Sequence, residues 1–174
     1  YCRPTSLANL SIVCCTIDGT IYLVECASLQ LRAITPKGTR QTDLTASAAG
    51  RYLSYVREGD LYIYDLELDR EERLTDDASE CINNGIAEFI AAEEMHRFNG
   101  HWWSTKDRYL VFTRVDISAI PVSYRYEFTA GELVAFPQRY PYAGGINAAV
   151  ELGVFDLQTR SLHWIDYRSR ADDY

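Results

Sequence analysis

Ser47-Ala48-Ala49-Gly50-Arg51-Tyr52-Leu53-Ser54-Tyr55-Val56, a turn at Glu58-Gly59-Asp60, and Leu61-Tyr62-Ile63-Tyr64-Asp65-Leu66 together read as an antiparallel hairpin. Aromatic and β-branched residues alternate on either side of a glycine-centred turn, the period of two that a strand with two distinct faces requires. The unit closes at Glu72-Arg73-Leu74-Thr75. Working outward, Thr16-Ile17-Asp18-Gly19-Thr20 opens an earlier copy, expected to close at Asp43-Leu44-Thr45, about thirty residues before the close of the next. Ser104-Thr105-Lys106-Asp107-Arg108-Tyr109-Leu110 opens a later copy.

A fourth match shows that the later copy is interrupted. Leu152-Gly153-Val154-Phe155-Asp156-Leu157 aligns without gaps on Leu61 to Leu66, and Ile165 then falls on Leu74. The opening strand, Tyr109 to Val115, is thus parted from its closing strands by an insertion from about Asp116 to Val150. Short antiparallel units of this length, repeated, predict an all-β fold: a partial β-propeller of several four-stranded blades. The expected organisation is a diverged blade over 1–45, a blade over 46–75, a helical insertion over 76–103, and a blade over 104–174 with its extension at 116–150. The first unit is called diverged because Cys26-Ala27-Ser28-Leu29-Gln30-Leu31-Arg32 lacks both turn glycine and strand alternation. Both ends of the chain fall inside a repeat, so a fragment of a larger ring is expected. A single antiparallel sandwich with hairpins alike by chance is the alternative; the Asp-Leu…Leu-Thr echo weighs against it.

Between the blades, Asn84-Gly85-Ile86-Ala87-Glu88-Phe89-Ile90-Ala91-Ala92-Glu93-Glu94-Met95 reads as a short helix. At 3.6 residues per turn Ile86, Phe89 and Ile90 share a face, and Glu93 falls on the same stripe with Glu94 beside it. A carboxylate held on an apolar stripe asks for a cation, because burying it unpaired is costly and crowding two is costlier. On residue types alone, adjacent helical glutamates read first as a solvated acidic face, a reading that the apolar-stripe position softens. Glu88, near the helix start, is assigned to the helix dipole. Trp102 and Trp103 are assigned to strand packing.

Composition narrows the function classes. The chain is 47% hydrophobic and 24% charged, ordinary for a soluble fold, and carries 25 acidic against 17 basic residues for a net charge of -8. Nucleic acid is a poor partner for such a balance, since its binding draws on basic surface. No run approaches the ~20 apolar residues of a membrane helix. Tyr1-Cys2-Arg3-Pro4 opens no apolar signal segment, and the chain does not begin with methionine. Cys2, Cys14, Cys15, Cys26 and Cys81 form no C-x-x-C and are odd in number, so they read as small hydrophobes. His96 and His101 stand five apart and His163 is remote, which assigns no metal; no cofactor is implied.

The helix motif followed by Trp102-Trp103-Ser104, then Arg114-Val115-Asp116, Pro121-Val122, Gln138-Arg139-Tyr140-Pro141-Tyr142-Ala143-Gly144, Asn147 and Leu152-Gly153-Val154, resembles the propeller domain of the dipeptidyl peptidase IV family, its bacterial members above all. The resemblance runs from about Ser47 to Tyr174. It implies that Glu93 and Glu94 bind the free amino terminus of a peptide substrate from a helix that interrupts a blade. An ammonium presents three donors and no acceptors, which suits two carboxylates. At ~4 Å and an effective dielectric of ~20, each contact contributes on the order of 4 kcal/mol before desolvation. Fixing the amine would also measure length, since a single bond two residues along then reaches a nucleophile.

The same resemblance implies a serine dipeptidyl peptidase that releases X-Pro or X-Ala dipeptides, located in the periplasm or secreted. Its nucleophile elbow, G-x-S-x-G, is missing here, so the catalytic α/β-hydrolase domain is expected to lie outside this chain and to be its partner. No catalytic residue is therefore assigned. The family also sets an arginine against the substrate carbonyl, and no motif picks it out from Arg97, Arg114 or others. Tyr124, Arg125, Tyr126, Arg139, Tyr140 and Tyr142 enrich the insertion in residues typical of interfaces. A homodimer contact through 117–150, implied by the resemblance, and packing on the neighbouring blade both remain open. A non-enzymatic propeller scaffold is the alternative to the peptidase as a whole.

Overall fold

A computed structural model describes residues 5–6 and 12–166 of the 174. Cys2, the Tyr1-Cys2-Arg3-Pro4 opening and the chain beyond Asp166 lie outside the described residues. The first sheet runs β1 (Thr5–Ser6), β2 (Ile12–Ile17), β3 (Thr20–Glu25), β4 (Leu31–Ala33), each strand antiparallel to the last. The second repeats that order with β5 (Gln41–Ala46), β6 (Tyr52–Arg57), β7 (Asp60–Asp65) and β8 (Arg70–Arg73). There follow β9 (Ile82–Asn84), a helix α1 (Phe89–Glu93), β10 (His101–Trp103), β11 (Tyr109–Asp116), β12 (Val122–Phe128), β13 (Leu133–Arg139), β14 (Ala149–Asp156) and β15 (Ser161–Trp164). The third sheet is β10-β11-β14-β15, with β9 on the far half of β11, while β12 and β13 form a separate two-stranded hairpin. These are the antiparallel blades of a partial β-propeller.

The second sheet is a middle layer, which explains why its strands are apolar on both faces. Leu53, Tyr55 and Tyr64 meet Cys14, Ile21 and Leu23 of the first sheet. Val56, Leu61 and Ile63 meet Leu110 and Phe112 of the third. Full burial of side chains such as Leu53, Leu61 and Phe112 stabilises by roughly 1.5–3 kcal/mol each. Ser54 escapes being an unsatisfied polar group in this layer because Trp103 Nε1–H donates to its hydroxyl at 2.8 Å, and the Trp103 ring stacks on Tyr52 at 5.5 Å. Both tryptophan expectations concern packing, and Trp103 packs.

The repeat is visible as repeated hydrogen bonding. In the second sheet Arg51 grips Asp65 at 2.7 Å, Leu66 N–H donates to Arg51 O at 3.0 Å, and Tyr52 N–H donates to Ser47 Oγ at 2.9 Å. In the third, Arg108 grips Asp156 at 2.8 Å, Leu157 N–H donates to Arg108 O at 2.9 Å, and Tyr109 N–H donates to Ser104 Oγ at 2.9 Å. Arg108, joined by the N–H groups of Gln158 and Thr159, holds the Asp156 carboxyl down at about 2. Ile165 N–H donates to Leu152 O as Leu74 N–H does to Leu61 O, the equivalence inferred from sequence.

Three sequence expectations are corrected. The first unit closes at Ile34-Thr35, where Ile34 N–H donates to Ile21 O and Thr35 Oγ1 accepts from Ile21 N–H at 2.9 Å, as Thr75 Oγ1 does from Leu61 N–H. Asp43-Leu44-Thr45 matches in letters alone; it belongs to β5, the opening strand of the next sheet, so that blade starts before residue 46. The expected helix over Asn84–Met95 is five residues long, because Asn84 ends a strand and Gly85 turns the chain at φ 77. Residues 101–103, expected within the helical insertion, are strand β10, held in register by His101 opposite Phe112. Of the cysteines, Cys14 is buried while Cys26 is exposed.

Candidate functional site

β9 and β10 are two halves of one strand. Asn84 stands opposite Arg114 and His101 opposite Phe112 on β11, and Thr113 between them serves both halves. Its carbonyl accepts from Gly85 N–H at 2.8 Å, and its N–H donates to Gly100 O at 2.8 Å. Everything from Ile86 to Asn99 is thus a loop thrown out of the middle of a strand, with an Ile86–Asn99 bridge closing its base. The neck is tight: a Cβ at Gly100 would lie 2.2 Å from the carbonyl carbon of Ile86. Thr113 Oγ1 adds a bond to Ile86 O at 2.7 Å.

Two buried polar groups brace this neck. His101 is fully buried, and its Nδ1 donates to Gly85 O at 2.8 Å, the role a carbonyl partner imposes. Burial pushes the imidazole below its ordinary value despite that bond, and Nε2 has no hydrogen-bond partner among the described residues. Asn84, also buried, donates from Nδ2 to Asp77 at 2.8 Å and to Asp60 at 3.2 Å. Arg114 holds Asp77 at 2.6 Å and Glu151 at 2.9 Å. Burial raises Asp77, but Arg114 and Asn84 outweigh it and leave the carboxyl below its usual range. Arg114 is therefore spent on structural pairs. Neither His101 nor Asp77 was singled out as a site-bracing residue from sequence, since a buried role has no motif; the Asn84-Gly85 and Arg114-Val115-Asp116 strings were the available signal.

The loop carries α1. Glu88 caps its start: Oε2 accepts from Ile90 N–H and Oε1 from Ala91 N–H, both at 2.6 Å, the structural role assigned to it. At the other end Arg97 N–H reaches back six residues to Ala91 O at 2.9 Å, past His96, whose φ is 53, and so closes the chain onto the last turn. Glu93 is the last helical residue and Glu94 the C-cap.

Both carboxylates are exposed, which corrects the expectation of an apolar stripe. Ile86 lies in the neck and not on the helix, and α1 is too short to carry a stripe: Ala91 is its buried residue, while Phe89 faces outward at 45% exposure. Glu93, one turn after Phe89, shares that outer side. Among the described residues neither glutamate has a hydrogen-bond or ion-pair partner. The arrangement is two adjacent acceptors on a short, doubly capped helix, open to a ligand rich in donors. Phe89 meets Tyr140 edge-on at 5.1 Å, and Tyr140 meets Tyr142 at 5.1 Å.

The insertion divides. β12 and β13 pair in register from Val122 opposite Arg139 to Phe128 opposite Leu133, with Tyr124, Tyr126 and Phe128 exposed. Its base is fixed: Arg139 donates to Ser118 O at 3.1 Å and to Ile120 O. No helix among the described residues is long and apolar enough to cross a membrane.

Comparison with known proteins places this geometry. The family model described as the dipeptidyl peptidase IV (DPP IV) N-terminal region matches residues 14–174. A probable dipeptidyl-aminopeptidase B of Aspergillus clavatus is 30% identical over 135 residues, covering 69% of this chain and 14% of that protein. An inactive dipeptidyl peptidase 10 of Mus musculus is 35% identical over 112 residues, covering 62% of this chain and 14% of that protein. The crystal structure of Porphyromonas gingivalis dipeptidyl peptidase 4 superposes with a TM-score of 0.84 at 20% identity, over 94% of this chain and 25% of its own, a likeness of fold. The chain thus spans 14% of the length of these two curated relatives.

Proposed function

The chain belongs to the dipeptidyl peptidase IV family, and from that premise we propose that it is the substrate-gating portion of a serine dipeptidyl peptidase, in which Glu93 and Glu94 anchor the free amino terminus of the peptide. The observation that carries this reading is the pair itself: two adjacent carboxylates without partners among the described residues, on a helix that rises from a close-packed neck. A substrate ammonium supplies the donors the pair lacks. Exposed ion pairs contribute about 0–1 kcal/mol. Useful affinity therefore requires the rest of the longer protein to close over the pair, and the catalytic α/β-hydrolase domain is the natural cover. With the amine fixed, the serine of that domain reaches the second peptide bond, releasing X-Pro or X-Ala dipeptides. Blocked amino termini are rejected because acylation removes the cation.

The exposed β12–β13 hairpin, within 117–150, is proposed as a homodimer contact, since its aromatic side chains do not pack on the neighbouring sheet. A periplasmic or secreted location goes with the same reading. In the complete enzyme, Glu93→Gln or Glu94→Gln should lower kcat/KM at least about tenfold for free-amine dipeptide substrates, the loss of one charge-assisted contact. Unchanged kinetics would remove the assignment.

The relative described as an inactive dipeptidyl peptidase favours a second reading, a propeller scaffold that binds protein partners without catalysis. The coding sequence downstream of Tyr174 separates the two. A hydrolase domain with an intact G-x-S-x-G supports the peptidase, and a stop codon soon after ring closure, or an elbow without its serine, supports the scaffold.

A further inference from the structure

Tyr140 lies outside the repeat and outside the neck, yet it touches the helix that bears the glutamates. We propose that Tyr140 is a positioning residue for Glu93 and Glu94: its ring, seated edge-on against Phe89, sets the direction in which α1 presents the two carboxylates. The inference rests on the amine-anchor reading above and deepens it.

A helix of five residues has too few internal bonds to hold its own orientation. The neck supports it from below, through Thr113, Gly85 and Gly100, but acts four residues before Phe89 and six after Glu94. Around that support the helix could still tilt or roll. Phe89 is on the outer side, where Ala91 makes no contribution, and Glu93 stands one turn along the same side. A contact on Phe89 therefore acts on the face that carries Glu93. The ring centroids of Phe89 and Tyr140 are 5.1 Å apart at 63°, the edge-to-face geometry that aromatic quadrupoles favour, and Tyr142 backs Tyr140 at 5.1 Å and 54°.

Tyr140 is also well mounted. Its neighbour Arg139 ends β13 and donates to the carbonyls of Ser118 and Ile120, joining the exit of the insertion to its entrance. Ile120 is buried, and Ile117 N–H donates to Cys81 O at 2.9 Å, which ties the entrance to the start of β9. The ring is thus fixed to the same sheet from which the neck rises. Two supports of α1, the neck and the Tyr140 ring, sharing one foundation, fix a direction that either alone would leave loose.

The test is a double-mutant cycle in the complete peptidase with a free-amine dipeptide substrate. Tyr140→Ala should raise KM about fivefold with kcat within about twofold, and Phe89→Leu, which keeps bulk but loses the ring, should do the same; the double variant should add little beyond either. Tyr140→Phe should restore the wild-type KM, because the ring edge and not the hydroxyl makes the contact. In the chain itself, hydrogen exchange at the amides of Ile90 to Glu94 should quicken in Tyr140→Ala and not in Tyr140→Phe. Glu93→Gln, run alongside, separates the two ideas. If it impairs the enzyme while Tyr140→Ala leaves KM and exchange at wild-type values, or the two ring variants add fully, the positioning role is wrong and the anchor stands. If Glu93→Gln changes nothing, the anchor fails and the positioning role with it.

Discussion

The second and third sheets are the same blade built twice, once plain and once broken. Ser47, Arg51, Tyr52 and Asp65 in one correspond to Ser104, Arg108, Tyr109 and Asp156 in the other, bond for bond. The plain blade turns its second hairpin in two residues, Glu58 and Gly59, with φ of 52 and 83. At the same place the broken blade runs on past Arg114 opposite Glu151 to Asp116 opposite Ala149 and releases the insertion. Its first strand is split as well, where Thr113 replaces the Val56 of the plain blade and serves two strand ends in place of one. The difference teaches that additions enter this fold away from the arginine–aspartate corner, which locks one end of each blade and leaves the other end free to vary. The two additions of the broken blade meet where Tyr140 touches Phe89, on the helix that carries the glutamate pair.

If the neck is a close-packed join, substitutions there should cost far more than matching ones elsewhere. Gly100→Ala is expected to cost about 3 kcal/mol or more, since its Cβ would overlap backbone that has no room to retreat. Gly38→Ala, at φ 83 but with open space around it, should cost only about 1–2 kcal/mol of backbone strain. Urea unfolding of the two variants measures the contrast, and equal losses would break it. Thr113→Val, which makes the broken blade like the plain one at that position, should cost about 1–2 kcal/mol by stranding the Ile86 carbonyl. It should also speed hydrogen exchange across residues 86–99 and leave the second sheet protected.

The two blades should also answer pH differently. Burial lowers the pKa of His101, so on acidification below ~6.5 the unfolded chain takes up a proton that the folded neck refuses. Stability should then fall by up to about 1.4 kcal/mol per pH unit. His101→Gln, which keeps a donor near Gly85 but cannot titrate, should flatten that slope in unfolding curves between pH 5 and 7.5. In the plain blade, Asp43 sits in the β5 bulge at φ 55, and burial pushes its carboxyl up to about 6. Here the sign is opposite: the folded state holds a proton between pH ~4 and ~6 that the unfolded state has lost, so stability drops as pH rises through that window. Asp43→Asn, tolerated at positive φ, should therefore stabilise above pH 6 by about 1 kcal/mol after allowance for partial exposure, and by less at pH 4.

Much of the blade pattern was legible because strands announce themselves by period. Apart from its turn, Tyr52 to Leu66 is apolar almost throughout since both faces of a middle sheet are packed, and the ungapped match of Leu152–Leu157 to Leu61–Leu66 survives an insertion because strand pairing does not depend on sequence distance. Leu-Thr recurs by chance at 44–45 and 74–75, which draws the close of the first unit to Thr45, whereas Thr35 is marked by a hydrogen bond from Ile21 N–H that no string of letters records. The helix was overextended for a related reason: apolar residues at helical spacing include Ile86, which the neck claims. Glu93 and Glu94 were found, but their exposure was not, since burial depends on how few turns α1 makes. In the sequence Tyr140 is one aromatic among several in the insertion; its contact with Phe89 spans fifty-odd residues of chain and has no local signature.

The amine anchor is tested most directly by discrimination. In the complete enzyme, the ratio of kcat/KM for a free-amine dipeptide substrate to that for its analogue with hydroxyl in place of the amine should be large in the wild type and collapse toward one in the Glu93→Gln/Glu94→Gln double variant. A double variant that keeps the wild-type ratio would contradict the account, because the ammonium would then be recognised elsewhere.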